Sequence, residues 1–444
     1  MTNIASLARS MQYVLTDSAN TLARRHGFIQ RQRKFTGALF AQTLVFGWLS
    51  EKDASLEHLA QTAATLGLKI TPQAIDERFT EAAASFLEHL LAQATHLLIT
   101  GETTTLELLA RFPGGVHVLD TSTVALPPEL ASRWPGLGGR TPEAGRATLK
   151  LEVGLNLSNG RLTGPFLWPA RTHDQAGLLP RQALPEGALR LADLGYFSLD
   201  QFQRLAQQGS FYLSRLKSSC TLLCESGEAL DVLAWLRKAE EAGWERLERN
   251  VLMGARHRLR CRLLAEHVPD AVASQRRRRL RRAMEQRGRQ PSKRSLELCA
   301  WTLLVTNVPE EQLGFEEALA LMGARWQVEL LFKLWKQHGG IAGSQSTNAW
   351  RILCEVYAKL LGMLVQHWIL LVGLWPRAER SLVKGSRSLR AYAFALAASM
   401  VSCYRLSRML TVVIRAMQCG CRINTRSKHP HTFQRLRNPY IDAP

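Results

Sequence analysis

The chain has 444 residues, 46% hydrophobic and 21% charged, so it can bury a large core and is globular rather than disordered. Its 57 Lys and Arg against 37 Asp and Glu leave a formal charge of +20, an excess that is too large for an ordinary cytosolic enzyme and points to a polyanionic partner. Charge alone does not separate DNA from RNA or anionic lipid.

The first 110 residues have helical periodicity. Phe28 to Trp48 opens with the basic stretch QRQRK and runs into apolar sequence. Ser55 to Phe79 reads as a short helix, a break at Gly67, a start at Thr71-Pro72 and a second helix, the outline of a helix-turn-helix. At Val116 the period changes and VHVLDTSTVAL reads as a strand. After the loop RWPGLGGRTPEAGR, Leu149, Leu151, Val153, Leu155 and Leu157 alternate with Lys150, Glu152, Gly154 and Asn156, and Asn159-Gly160 predicts a two-residue hairpin turn. A helix near 175–184, a strand in ALRLADLGYFS, a helix around 199–208 and a strand in SFYLSRLK follow.

Between Ser218 and about Ala300, VLMGARHRLRCRLLAEH predicts one or two strands. Residues 276 to 294 then hold ten Lys or Arg and one acid, Glu285. A stretch repelling itself this strongly is expected to be ordered by a polyanion or to be a mobile loop without one. WTLLVTNVP, from Trp301, closes the segment as a strand. Val356 to Trp375 has membrane length, but Lys359, Gln366 and His367 interrupt it, so a buried helix of a C-terminal bundle is expected and no membrane partner. The start MTNIASLARSMQYVL lacks a charged n-region and an apolar core, so the eight scattered cysteines are expected to be reduced thiols of a cytosolic protein. Cys419, Cys421, His429 and His431 are zinc-ligand types, but C-x-C with H-x-H departs from the usual spacings and a basic, irregular tail is preferred.

Three acids occupy unusual places. Asp120 ends the apolar run VHVL, Asp193 ends ALRLA, and Glu329 lies in RWQVELLFKLWK. On one helix, at roughly 100° per residue from Arg325, Glu329 falls near 40°, Lys333 near 80° and Lys336 near 20°, a stripe of charge on an otherwise apolar rod. Such a stripe suits groups aimed into a cleft; an ordinary i,i+4 pair is the alternative. An acid ending an apolar strand is costly to bury unless it is paired or binds a cation. Two aspartates and a glutamate meeting at one end of a mixed sheet would suit two Mg²⁺ ions in an in-line phosphoryl transfer. Alternatively, Asp120 could cap the turn at Thr121-Ser122-Thr123, and Asp193 could be a turn residue before Leu194-Gly195. Asp174, beside His173, competes for the second position but reads more like a helix N-cap.

Together these residues resemble the cut-and-paste DDE transposases of bacterial insertion sequences, in the branch marked by a Y-x2-R-x3-E-x6-K signature. Arg325, Glu329 and Lys336 match that spacing, with Met322 in the tyrosine position. DTST at Asp120 and ADLGYFS at Asp193 resemble the first two catalytic blocks, 73 residues apart, with 136 more to Glu329. The resemblance implies an α+β multidomain chain: an RNase H-like mixed sheet with a β-rich insertion, flanked by helical N- and C-terminal regions. On that pattern 1–110 is a helical DNA-binding region, 111–217 the first part of the catalytic core and 218–305 a β-rich basic insertion. Residues 306–345 carry the glutamate helix of the core, and 346–444 form a helical region for dimerisation and DNA contact.

By the same resemblance Asp120, Asp193 and Glu329 would be catalytic and bind two Mg²⁺ or Mn²⁺ ions. Arg325, Lys333 and Lys336 would hold DNA phosphates, and Trp301 would accept a flipped base at a hairpin end. Tyr196, Arg215 and Lys217 would contact the strand, while Met322 removes a phenol that would have bonded a phosphate. The implied activity is binding of terminal inverted repeats, then metal-dependent cleavage and transfer of double-stranded DNA at transposon ends and target. A homodimer in a synaptic complex is expected to do this in the bacterial cytoplasm, nucleoid-associated when bound; whether the ends form hairpins stays open. Two other readings are a catalytically inactive DNA-binding protein of transposase descent and a metal-dependent nuclease without strand transfer.

Overall fold

The computed structural model describes residues 3–31, 35–102, 106–137, 147–286, 288–341, 343–344, 346–377, 379–424 and 430–442. The chain divides into two compact units, one from Met1–Thr105, Asp120–His173 and Trp326–His429, the other from Leu106–Leu119, Asp174–Arg325 and Pro430–Pro444. The architecture is α+β, with many helices and a large mixed sheet. Its strands are β1 (Val116–Ala125), β2 (Thr148–Asn156), β3 (Leu162–Pro169), β4 (Leu189–Ala192), β5 (Phe211–Arg215), β6 (Leu222–Leu223), β7 (Arg246–Met253), β8 (Leu259–His267) and β9 (Trp301–Thr306).

The first unit is chiefly helical. At its centre Ala349–Leu374 packs against Gly37–Ser50, Glu81–Thr95 and Cys403–Gly420. This helix is long and apolar enough to cross a membrane, yet 94% of its most apolar window is buried inside the fold. Leu353, Leu360, Leu361 and Ile369 are fully enclosed. Each such side chain contributes about 1.5–3 kcal/mol relative to exposure. The three polar residues that interrupt the run have fixed partners: Lys359 meets Glu355, Gln366 accepts from Ser386 Oγ, and His367 donates to the Gly160 carbonyl. They belong to a protein core.

The helix-turn-helix outline is present but small. Ser55 caps Leu56–Thr65, Gly67 turns with φ +80°, and Thr71 caps Pro72–Asp76. The second helix has only five residues and ends in Asp76, whose carboxylate pairs with Arg351 at 2.9 Å. One short acidic turn is a poor reader of a DNA groove. Gln32, Arg33 and Lys34 of the basic QRQRK stretch lie outside the described residues, as do 138–146 of the loop after β1.

In this unit the strands run in the order β3-β2-β1, with β2 and β3 antiparallel from Leu149↔Pro169 to Leu155↔Leu162. The hairpin lies where the alternation predicts it, but its connection is longer than two residues. Asn156 Oδ1 accepts the Ser158 N–H at 2.9 Å, and Asn159 Oδ1 accepts the Arg161 N–H at 3.0 Å. These side-chain turns take up amides that a tight hairpin would have paired across the strands.

The second unit carries strands in the order β1-β4-β5-β9-β8-β7-β6. β1, β4 and β5 are parallel, and the pairs from β5 to β6 are antiparallel. Two short 3-10 turns, Asp174–Ala176 and Leu179–Arg181, replace the helix expected near 175–184. Gly177 and Pro180 account for this, since glycine loosens a helix and proline offers it no N–H. Residues 218–305 hold β6, β7, β8 and all but the last residue of β9, together with the helices Val232–Glu241, Asp270–Glu285 and Lys293–Glu297. The arginines from Arg276 to Arg282, six of the ten basic residues in 276–294, lie on the helix Asp270–Glu285 rather than in a loop.

Candidate active site

In the first unit, Asp120 is half-buried on β1, and its Oδ1 accepts the Thr121 N–H at 2.8 Å. Glu329 is half-buried on Trp326–Lys333, a helix that packs on β2 and buries Val328, Leu331 and Phe332. The segment RWQVELLFKLWK is not one helix. Phe315–Ala324 ends at Arg325, Trp326–Lys333 follows, and Leu334–His338 is a π-turn. Glu329 and Lys333, four residues apart, therefore share one face of Trp326–Lys333, and the π-turn changes the pitch beyond it.

A cation cluster surrounds the end of this helix. Lys336 is half-buried, and burial holds its ammonium below the usual lysine range. Burial also lowers the His338 pKa, and the charges of Arg387, Arg390, Lys52 and Lys333 lower it further. Lys52, Arg387 and Arg390 escaped the reading of the sequence. They come from remote segments, and the only signal for them was the overall positive charge.

In the second unit, Val116 pairs with Leu189 and Val118 with Leu191 in the parallel β1–β4 ladder. Asp193 directly follows β4 and starts the turn Leu194–Tyr196, its carbonyl accepting the Tyr196 N–H at 2.9 Å. Asp174 approaches the same turn: its Oδ2 lies 3.4 Å from where a Cβ on Gly195 would stand. Both aspartates considered for the second position thus border one turn, and Asp174 opens a 3-10 turn rather than capping a long helix.

Arg215 ends β5 and is exposed, as is Lys217, whereas Tyr196 is buried. Arg215, Arg276, Arg279, Arg294 and Trp301 line a cavity of about 620 Å³. Trp301 is 5% exposed, so it forms part of the wall. Its ring meets His267 edge-on at 4.9 Å between centroids, and its carbonyl accepts Arg276 Nη1 at 3.0 Å. Burial, followed by the neighbouring Arg215 charge, lowers the Arg276 pKa. Met322 is buried on Phe315–Ala324.

Among the described residues no group of three or more His, Cys, Asp or Glu side chains is gathered tightly enough to hold a metal ion. The donor type at Asp120, Asp193 and Glu329, carboxylate oxygen, is the one that hard divalent cations take. Of the zinc-type residues, Cys419 is exposed, Cys421 is buried, His431 caps Thr432–Arg437, and His429 lies outside the described residues.

A family model described as a transposase DDE domain matches residues 111–364, more than half of the chain. The transposase for insertion sequence element IS231F of Bacillus thuringiensis subsp. israelensis is 24% identical over 453 positions, covering 95% of this chain and 92% of that protein. The transposase for IS231B of Bacillus thuringiensis subsp. berliner is 25% identical over 363 positions, with 78% and 75% covered. The transposase for IS1151 of Clostridium perfringens is 24% identical over 371 positions, with 79% and 77% covered.

Proposed function

This chain belongs to the DDE transposase family, and we propose that it cuts and rejoins DNA at the ends of an insertion sequence with Asp120, Asp193 and Glu329 as its catalytic carboxylates. One observation carries the assignment of the two aspartates: Val118 pairs with Leu191, and Asp120 and Asp193 each follow their member of that pair by two residues. Parallel strands of one register bring equivalent positions to the same end of a sheet. The parallel strands followed by antiparallel ones are read as an RNase H-like core, 111–217 and 306–345, interrupted by 218–305.

Two Mg²⁺ or Mn²⁺ ions held by these carboxylates would supply activation of an attacking oxygen and stabilisation of the leaving one. The protein's own share is positioning. Arg325, Lys333 and Lys336 hold phosphates beside the cut, and the half-buried Lys336 does so from a partly desolvated site where its charge is less screened. Tyr196, Arg215 and Lys217 steady the strand. The cavity bordered by Trp301 and Arg215 has room for an unstacked base, which favours the branch of the family that passes through hairpin ends. The chain works as a homodimer on paired ends, in the bacterial cytoplasm.

The test is cleavage of duplexes carrying the element's own terminal repeats in Mg²⁺ buffer. Wild type should nick them and Glu329→Gln should bind without nicking; nicking by the variant at the wild-type rate would overturn the assignment.

A further inference from the structure

The helix Asp270–Glu285 carries six arginines between Arg276 and Arg282, and the fold uses them unequally. Arg276 Nη1 donates to the Trp301 carbonyl and Nη2 to Thr302 Oγ1, both at 3.0 Å. Arg277 Nε donates to the Leu296 carbonyl at 3.2 Å. Both are half-buried, on the side of the helix that also carries the buried Ala273 and the half-buried Leu280 and Met284. Arg278, Arg279, Arg281 and Arg282 occupy the remaining arc and are exposed. Among the described residues none of these four makes a hydrogen bond or ion pair. Arg279 also reaches the rim of the cavity beside Trp301.

We propose that Arg276 and Arg277 anchor this helix, while Arg278, Arg279, Arg281 and Arg282 form a sequence-independent docking surface for the phosphodiester backbone of duplex DNA. The proposal rests on the transposase reading and adds to it a DNA contact made by side chains outside the proposed catalytic set. Like charges three and four positions apart on a helix oppose it by a few tenths of a kcal/mol per pair, and the two anchors hold the helix against that repulsion. The helix's two acids, Asp270 and Glu285, stand at its ends and pair with none of the four, so the carboxylates within the helix do not neutralise them. A polyanion does. The arc from Arg278 to Arg282 has no outward apolar side chain, which a protein partner would need as an anchor. Guanidinium groups can each replace a condensed counterion on a phosphate, and i,i+3 and i,i+4 spacing on a helix puts the Cβ atoms that carry neighbouring ones about 5–6 Å apart, within reach of one strand.

The experiment uses the full chain and its Arg278→Gln/Arg281→Gln/Arg282→Gln variant. Binding to a terminal-repeat duplex and to a scrambled duplex of equal length is measured across a salt series, with Tm as a folding control. The slope of log affinity against log salt should shrink by about 0.9 per lost contact, so by about 2–3, equally on both duplexes and with Tm unchanged. Arg276→Gln should instead lower Tm. An unchanged slope in a folded triple variant overturns the proposal while leaving the transposase reading intact. A loss confined to the terminal-repeat duplex also overturns it, because the contact would then read sequence. Failure of the wild type to bind either duplex overturns both.

Discussion

Lys359 Nζ donates to Glu355 Oε1 at 2.6 Å, and the same ammonium reaches the carbonyls of Gly340 and Gly343 at 2.8 and 3.2 Å. Its side chain is 1% exposed. Glu355 in turn accepts from Ser344 Oγ at 2.7 Å. The pair therefore ties the central helix Ala349–Leu374 to the segment that leaves the π-turn after Glu329. Removing one partner strands a buried charge, whereas removing both leaves an apolar gap of similar size. We expect Lys359→Met to lose about 3–5 kcal/mol of stability and Glu355→Gln/Lys359→Met to recover much of it, read by urea unfolding. A single variant as stable as wild type would show that the pair holds nothing.

His367 is fully buried in the same unit, and its Nε2 donates to the Gly160 carbonyl at 2.9 Å. Burial lowers its pKa, and the bond to Gly160 opposes the shift in part. The unfolded chain, with a value near 6.5, therefore takes up the proton first as pH falls. Stability from this group is complete above about pH 6.5 and is lost as pH falls through the lower folded value. Tm measured from pH 7.5 down to 5 should fall more steeply in wild type than in His367→Gln; parallel curves would exclude this histidine as a cause of acid sensitivity.

The cation cluster at the end of the glutamate helix has a direct probe in His338. Replacing Arg387 and Arg390 with Gln removes two of the charges that depress it. The imidazole pKa, followed by NMR, should rise toward its ordinary value of about 6.5. An unmoved titration would mean that these arginines do not act on His338.

Trp301 requires a paired substitution, because it is both a cavity wall and the proposed base acceptor. Trp301→Ala leaves a void beside His267 and should lower stability by about 3–5 kcal/mol, whereas Trp301→Phe keeps an aromatic face. If the base-acceptor role holds, Trp301→Ala impairs hairpin formation more than first-strand nicking, and Trp301→Phe restores much of the difference. Equal loss of both steps contradicts that role.

Much of the fold was legible in the sequence because alternation and apolar runs have local causes. The β2–β3 hairpin, the strand ending at Asp193 and the buried helix around Lys359 were each predictable from their own residues. Three features were not. The loop at Asn156–Arg161 is set by side-chain turns that compete with strand pairing. The break between Arg325 and Trp326 and the π-turn at Leu334 disturb a pattern that reads as one helix. Arg387, Arg390 and Lys52 approach His338 only through tertiary packing. The aspartates were legible as acids ending apolar strands, and the sequence already favours Asp193 over Asp174, which follows Pro169 and a polar stretch; the β1–β4 register adds a second, independent reason.

The central claim is that Asp120, Asp193 and Glu329 act as one catalytic unit, and comparing cleavage rates at saturating DNA tests it most directly. Asp120→Asn, Asp193→Asn and Glu329→Gln should each reduce strand cleavage by on the order of 10³-fold or more without loss of DNA binding, and the triple variant should be no worse than the singles. Asp174→Asn should keep most of its activity. Cleavage that survives in Asp193→Asn but disappears in Asp174→Asn would contradict the account and move the second carboxylate to the other side of the turn at Gly195.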